Sequence, residues 1–268
     1  MPGMTGISRL LITGARGRIG QALRAGLRGV YPALRLSDLQ DVDDLQPGEE
    51  DAPGDLRDFT AVQEVMRGVD AVVHLGGIPD EAPFEQILDV NVRGTANIFE
   101  AARRAGVRRV IFASSNHAVG FEPVGARVDG ATAPRPDTHY GVSKAYGEAL
   151  GRLYHDKHGL AVACLRIGSF RPRPQSPREL TTWISPRDMV ALTRACLDAP
   201  GLGYAVVYGL SGNTRNFADD SAALALGYAP QDNAEEYRSE IVPDGFDLAQ
   251  LERAPIGGAF TARDYRLD

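Results

Sequence analysis

Cysteine is nearly absent from this chain of 268 residues, and tryptophan occurs once. With only Cys164 and Cys196 there is no disulfide framework and no spacing suited to a zinc site. Positive charge is not in excess either: the net charge is −6, which argues against a protein that coats nucleic-acid phosphates with a basic stripe. No apolar run approaches the ~18 residues of a membrane span. The opening MPGMTGIS lacks the charged-then-apolar layout of a signal peptide. Internal repeats and low-complexity tracts are missing as well. These absences lead us to expect a cytoplasmic protein of a reducing compartment, with no nucleic-acid, membrane or metal partner. What is present is an ordinary globular balance, 43% hydrophobic and 24% charged. The length suits one large domain or two small ones and buries enough core to fold without covalent staples.

Apolar runs alternate with helical patterns from the start. Strands are predicted at Arg9 to Thr13, Leu34 to Asp38, Ala71 to Leu75, Arg109 to Ser114, Ala161 to Ile167 and Ala205 to Tyr208. They are continuous apolar runs, which suits a parallel sheet buried on both faces. Helical patterns lie between them, notably Phe84 to Ala105 and Thr138 to His158. Strand, helix, strand, repeated, means right-handed βαβ units and a doubly wound, Rossmann-like α/β fold. The acidic stretch Asp41 to Asp55 reads as a solvated loop. Beyond Ile167 the prolines at 172, 174 and 177 forbid a helix. The expected organisation is a single domain, with a nucleotide-binding core over 1–167 and a small C-terminal substrate cap over 168–268 built onto it.

Between the first strand and the first helix stand Gly14, Gly17 and Gly20. The first permits a tight turn, the second lets backbone approach a pyrophosphate, and the third allows close helix–strand packing. Arg16, Arg18 and Ile19 fill the loop, and the helix N-terminus then faces the anion with free N–H groups. Asp38 ends the second strand eighteen residues past Gly20, where an acid accepts hydrogen bonds from ribose hydroxyls. A carboxylate there repels a 2′-phosphate and favours NAD over NADP, although Arg16, Arg18 and Arg35 are nearby cations. Asp55 and Leu56, and Leu75 with Gly76 and Gly77, fall where later loops border the adenosine; for Asp55 a helix N-cap is the competing reading.

Tyr140 and Lys144 are spaced i, i+4 and share one helix face. A phenol titrating near ~10 is a poor base at neutral pH, and a neighbouring ammonium lowers that value. Removing a proton from an alcohol as hydride departs needs such a base. Upstream, the fourth strand ends in Ser114 and Ser115, followed by Asn116 and His117. A hydroxyl at a strand's carboxyl end can hold a reacting oxygen where ligands bind in this architecture.

In this order, GxxGxxG, strand-end Asp, strand-end Ser and YxxxK resemble the extended short-chain dehydrogenase/reductase superfamily. The segments HLGGI from His74, PFEQIL from Pro83, FASSNH from Phe112, RPD from Arg135, YGVSK from Tyr140, LRIGS from Leu165 and the pair Thr182 and Trp183 resemble its uronate dehydrogenase family over about Arg9 to Asn233. The resemblance implies oxidation of the C1 hydroxyl of a cyclic uronic acid, D-galacturonate or D-glucuronate, to the aldarolactone, with NAD as acceptor. It further implies Tyr140 as base, Lys144 as the residue that lowers its pKa and binds nicotinamide ribose, Ser115 on the reacting oxygen and Ile167 beside the cofactor. Asn116 and His117 would meet sugar hydroxyls, and Ser169 and Arg178 the substrate carboxylate. A guanidinium suits that task because it offers two parallel donors. One departure stands out: Pro79 occupies the place where the family often has a sugar-binding serine. A homo-oligomer is the expected assembly.

Competing readings remain at this stage. A nucleotide-sugar epimerase or dehydratase with tightly held NAD shares the motifs, although only about a hundred residues follow the fifth strand. A non-catalytic dinucleotide sensor would be expected to lack the tyrosine or the lysine. His117 competes as a structural histidine, Arg171, Arg173 and Arg187 compete with Arg178, Asn91 reads as a structural bond to strand backbone, and core packing is the default for Trp183, with a place beside the substrate loop as its alternative. His155 and His158 share a helix face with no third ligand in view.

Overall fold

In β1 (Arg9–Thr13), Leu10 and Ile12 join the core on one face of the sheet and Leu11 the core on the other, all three fully buried. A strand covered on both sides belongs inside a parallel sheet flanked by helices. The computed structural model describes residues 6–265 and has that arrangement. The strands β2 (Ala33–Ser37), β3 (Glu49–Asp51), β4 (Ala71–His74), β5 (Arg109–Ser115), β6 (Ala161–Ile167) and β9 (Tyr204–Gly209) join β1 in a seven-stranded parallel sheet ordered β3-β2-β1-β4-β5-β6-β9. The short strands β7 (Ser169–Phe170) and β8 (Trp183–Ile184) pair separately. Leu23 and Leu27 of α1 (Arg18–Leu27) and Met189 and Leu192 of α7 (Pro186–Asp198) cover one face. Val62 and Val65 of α2 (Phe59–Val65) and Ile98 and Phe99 of α4 (Gly94–Ala105), with α5 (His139–His158), cover the other.

The chain leaves β1 for β2 and β3, then returns to lay β4 on the opposite side of β1. That reversal opens a crevice above the carboxyl ends of the strands, where Thr13, Ser37 and His74 stand in register. Thr138 caps α5 by accepting from Gly141 N, and Ser185 caps α7 ahead of Pro186.

Two expectations need correction. The acidic stretch from Asp41 to Asp55 is not merely a solvated loop: it contains the edge strand β3. Glu49 is buried there against Arg24 and Arg28, while Glu50 pairs with Arg9 and Arg35. Burial works to raise the Glu49 carboxyl, but its bonds to Arg24, Gln46 and Arg28 together hold it below the usual range. The strand is charged because guanidinium groups, not an apolar layer, cover it. The helix expected from Phe84 is likewise divided: α3 (Phe84–Gln86) passes into a π-helical stretch, Ile87–Arg93, before α4. Asn91 lies in that bulge, where its amide exchanges two hydrogen bonds with the backbone of Ile78.

One buried ion pair ties the catalytic-side elements together. Arg166 on β6 and Glu148 on α5 are both almost wholly buried and meet at 2.9 Å, with Ser114 donating to Glu148 and Tyr208 accepting from Arg166. Removing one partner strands the other charge. Arg166→Met is expected to cost about 3–5 kcal/mol of unfolding free energy in urea. Pairing it with Glu148→Gln should restore part of that loss.

Candidate active site

The glycine loop fits an anion. Gly14 has φ of +68°, and a Cβ on it would stand 2.8 Å from Gly76 N, so only glycine lets the first and fourth strands' loops approach this closely. The N-cap of α1, Gly17, supplies no side-chain bond, and its first turn carries no acid. An uncapped helix N-terminus of this kind suits a pyrophosphate. Asp38 lies just past β2, its carboxylate accepting from Arg16 N at 2.9 Å and Leu39 N at 2.8 Å. The cations that could have favoured a 2′-phosphate are largely engaged: Arg35 with Glu50, and Arg16 with the Asp41 carbonyl and Asp43. The residues present therefore fit a dinucleotide with free ribose hydroxyls. The N-cap of α2 is Asp58; Asp55 instead pairs with Arg57.

A cleft of about 800 Å³ runs from this loop to the C-terminal segment. Gly14, Arg16, Gly17, Arg18, Ile19, Gly20, Asp38, Asp55, Leu56, Leu75, Gly76, Gly77 and Ile167 line it, as do Ser115, Asn116, His117, Tyr140, Lys144, Ser169 and Arg178. Every site residue singled out from sequence thus borders one cavity. The wall also includes residues that sequence reasoning missed, above all Phe260, and the departing Pro79 is part of it. Trp183 is instead buried against Tyr237 in a small separate core, its Nε1 donating to Arg171 O. His155 bonds Leu160 O, and no metal-holding cluster occurs among the described residues.

Tyr140 and Lys144 occupy the first two turns of α5, both buried. Burial pushes the Tyr140 phenol up to about 12; its hydrogen bond with Ser115 lowers it, and Asp80 and Asp137 raise it. Burial pushes the Lys144 ammonium down to about 8. Lys144 donates to Ala113 O at 2.9 Å and sits 5.3 Å from the centre of the Tyr140 ring. The lysine is therefore aimed at the end of β5, and in the protein alone Ser115 is the group that favours the phenolate.

A lysine with a folded pKa near 8 against an ordinary 10.5 loses stability where it must stay charged. Between those values the unfolded chain binds more protons, so this group's contribution to stability rises with pH across that window. Lys144→Met is accordingly expected to stabilise the NAD-free protein at pH 7 by on the order of 1–2 kcal/mol while removing activity. Urea midpoints measured from pH 7 to 10 should show the gap to wild type narrowing.

At the other end of the cleft, Arg178 is half-buried, desolvation lowers its pKa, and among the described residues no carboxylate lies within ion-pair distance of it. Its Nε and Nη2 share the Ile256 carbonyl and its Nη1 reaches Ser169 Oγ at 3.3 Å. The Asn116 amide completes this group once it is assigned by its hydrogen bonding, with its oxygen accepting from Arg178 Nη2 at 3.0 Å and its nitrogen donating to Ile167 O at 3.1 Å. The rival arginines are all engaged: Arg171 with Glu179, Arg173 with Glu240, and Arg187 with Asp232. The guanidinium does not present its fork as two parallel free donors. One Nη1 N–H remains for an anion, beside the Ser169 hydroxyl, which also shares a 2.9 Å bond with Thr182 Oγ1.

A family model described as the NAD dependent epimerase/dehydratase family matches residues 10–185. The chain belongs to this family. It is 44% identical to uronate dehydrogenase of Pseudomonas putida, over 96% of this chain and 96% of that one. It is 41% identical to the NAD-dependent glucose-6-phosphate dehydrogenase of Haloferax volcanii, over 87% of this chain and 97% of that one. A solved mutant of uronate dehydrogenase from Agrobacterium tumefaciens, complexed with NAD, superposes with a TM-score of 0.88 at 45% identity, covering 95% of this chain and 97% of that one. The Rossmann-like reading agrees with that likeness. Among the described residues, no helix is long and apolar enough to cross a membrane.

Proposed function

We propose that this chain is an NAD-dependent uronate dehydrogenase, oxidising the C1 hydroxyl of cyclic D-galacturonate or D-glucuronate to the aldarolactone. The observation that carries the substrate class is Arg178: a half-buried guanidinium with no carboxylate partner among the described residues, in the same cleft as the Tyr140–Ser115 pair. A partly desolvated charge of this kind is costly unless a ligand answers it. The charge count also separates two classes of acidic sugar. Glu179 neutralises Arg171, so one cation remains for the anion, which suits a monovalent carboxylate better than the dianion of a hexose 6-phosphate.

Bound NAD+ supplies the hydride acceptor. The turn at Gly14, Gly17 and Gly20 holds its pyrophosphate against α1, and Asp38 takes its adenosine ribose hydroxyls. Leu56, Leu75, Gly76, Gly77 and Ile167 border it, with Asp55 at the rim. Ser115 and Tyr140 orient the reacting hydroxyl, and Tyr140 Oη takes its proton. Lys144 stabilises the phenolate that forms and binds the nicotinamide ribose. Asn116 and His117 meet sugar hydroxyls, while Ser169 and Arg178 hold the carboxylate. The core over 1–167 carries the cofactor and the residues at the reacting hydroxyl, and the segment 168–268 supplies the carboxylate end of the substrate side. The proposal includes a cytoplasmic location, supported by two free buried cysteines, and a homo-oligomer, supported by the superfamily resemblance. Light scattering should give a mass above that of one chain.

Purified protein mixed with NAD+ and each uronate, beside galactose and glucose 6-phosphate, provides the test. NADH absorbance is expected to rise fast with the uronates and only slowly with galactose or glucose 6-phosphate. Sugar conversion without net NADH would mark an epimerase, which returns its hydride, and preference for glucose 6-phosphate would overturn the carboxylate argument.

A further inference from the structure

His117 and Asp137 form a pair whose second member has no role so far. His117 Nδ1 lies 2.7 Å from Asp137 Oδ2. The Asp137 side chain is completely buried. Its other oxygen accepts from Thr138 Oγ1 at 3.0 Å, and Thr138 Oγ1 accepts in turn from Gly141 N. Two backbone segments close around the carboxylate: a Cβ on Gly120, after β5, or on Gly257, in the C-terminal segment, would stand 1.9 Å from Asp137 Oδ2. The sequence leaves side chains out at both places, and the space they vacate is filled by this oxygen.

No lysine or arginine pairs with Asp137 among the described residues; Arg178 acts on it only at longer range. Among the described residues the imidazole is the donor on Oδ2 and the Thr138 hydroxyl the donor on Oδ1. The histidine ring is equally fixed, stacked on Phe260 at 3.9 Å between centroids and meeting the Tyr140 ring edge-on at 5.9 Å. The ring lines the cleft.

We infer that Asp137 is a positioning residue that holds the proton of neutral His117 on Nδ1, so that Nε2 faces the substrate as a hydrogen-bond acceptor. An ionised carboxylate has only lone pairs to offer, so the nitrogen facing it carries the proton. The other nitrogen then accepts, and its natural partner is the O–H of a sugar rather than the carboxylate, which an acceptor repels. Resting on the proposed uronate activity, this gives the substrate one orientation in the cleft: carboxylate to Arg178 and Ser169, a ring hydroxyl to His117. A swapped proton would make Nε2 a donor and remove that discrimination.

The test reads the proton directly. In full-length protein saturated with NAD+ and labelled with nitrogen-15 at its five histidines, the His117 resonances are those missing from His117→Asn. At the pH of the assay, wild type is expected to show Nδ1 protonated and Nε2 unprotonated. In Asp137→Ala that signature should become a mixture of tautomers, with kcat/KM for uronate reduced about tenfold or more, mostly through KM, and NAD affinity unchanged. An Nε2-protonated or doubly protonated ring in wild type overturns the inference and needs no variant to fold. Wild-type kcat/KM in a folded Asp137→Ala overturns it too. Absence of uronate turnover in wild type would sink the proposed function instead, while the tautomer is still read from the spectrum.

Discussion

Tyr140→Phe is expected to lower the rate of NADH formation from uronate by ~10³-fold or more, with NAD binding retained. The change removes one oxygen and keeps the ring, so the edge-on contact with His117 and the start of α5 survive. What is lost is the phenol oxygen, bonded to Ser115, that takes the alcohol proton. The pH profile constrains the same step. With the phenol near 12 and the ammonium near 8, the working form, phenolate beside ammonium, is a minor species at every pH. Its population climbs as pH rises toward about 8, because the phenol ionises while the lysine stays charged. Above that point each further ionisation of the tyrosine is matched by loss of the ammonium, and the curve levels off. The two apparent values belong to the pair. Turnover with NAD+ should therefore rise to roughly pH 8 and then flatten. Near-native turnover in Tyr140→Phe would remove the phenol from the mechanism.

The parts of this site legible in the sequence are those set by backbone geometry or by one helix turn. Gly14, Gly17 and Gly20 announce themselves because a side chain would collide, and Tyr140 and Lys144 because i, i+4 residues share a face. The strands were legible because both faces are buried, so their apolar runs are unbroken. The hidden strand, β3, has no apolar run: Glu49, Glu50 and Asp51 form it, and the arginines that cover them come from β1, α1 and β2. The π-helical stretch was equally silent, since the bonds it makes, from Asn91 to a loop thirteen residues earlier, leave no periodic mark in the sequence. The substrate end was the least readable. Phe260 reaches His117 from the last residues of the chain, and Ile256 holds Arg178 through a carbonyl, which no side-chain pattern encodes. The His117–Asp137 bond spans twenty residues and emerges only once α5 is docked.

Arg178→Ala is expected to cut kcat/KM for galacturonate and glucuronate by ~10²–10³-fold, chiefly through KM. The loss is large because the interaction is charge-assisted, partly desolvated and, among the described residues, unshared with any carboxylate. Arg178 also braces the Ile256 carbonyl, two residues before Gly258, whose Cβ position lies 2.7 Å from its Nε. A loosened C-terminal segment is thus a competing source of any loss, and substrate choice separates the two. Galactose matches galacturonate except for the carboxylate, so its slow background turnover reports the rest of the site. If Arg178 reads the carboxylate, the uronate rate falls toward the galactose rate and the latter is nearly unchanged. If the segment collapses, both fall together and the Phe260 stack on His117 goes with them. Arg178→Lys sharpens the distinction. Its ammonium keeps the charge but offers a single point of donation, so it cannot bond Ile256 O and an anion in the same planar arrangement. It should recover about a tenth of the lost kcat/KM at most. Full recovery would mean that charge alone, without the guanidinium's geometry, selects the uronate.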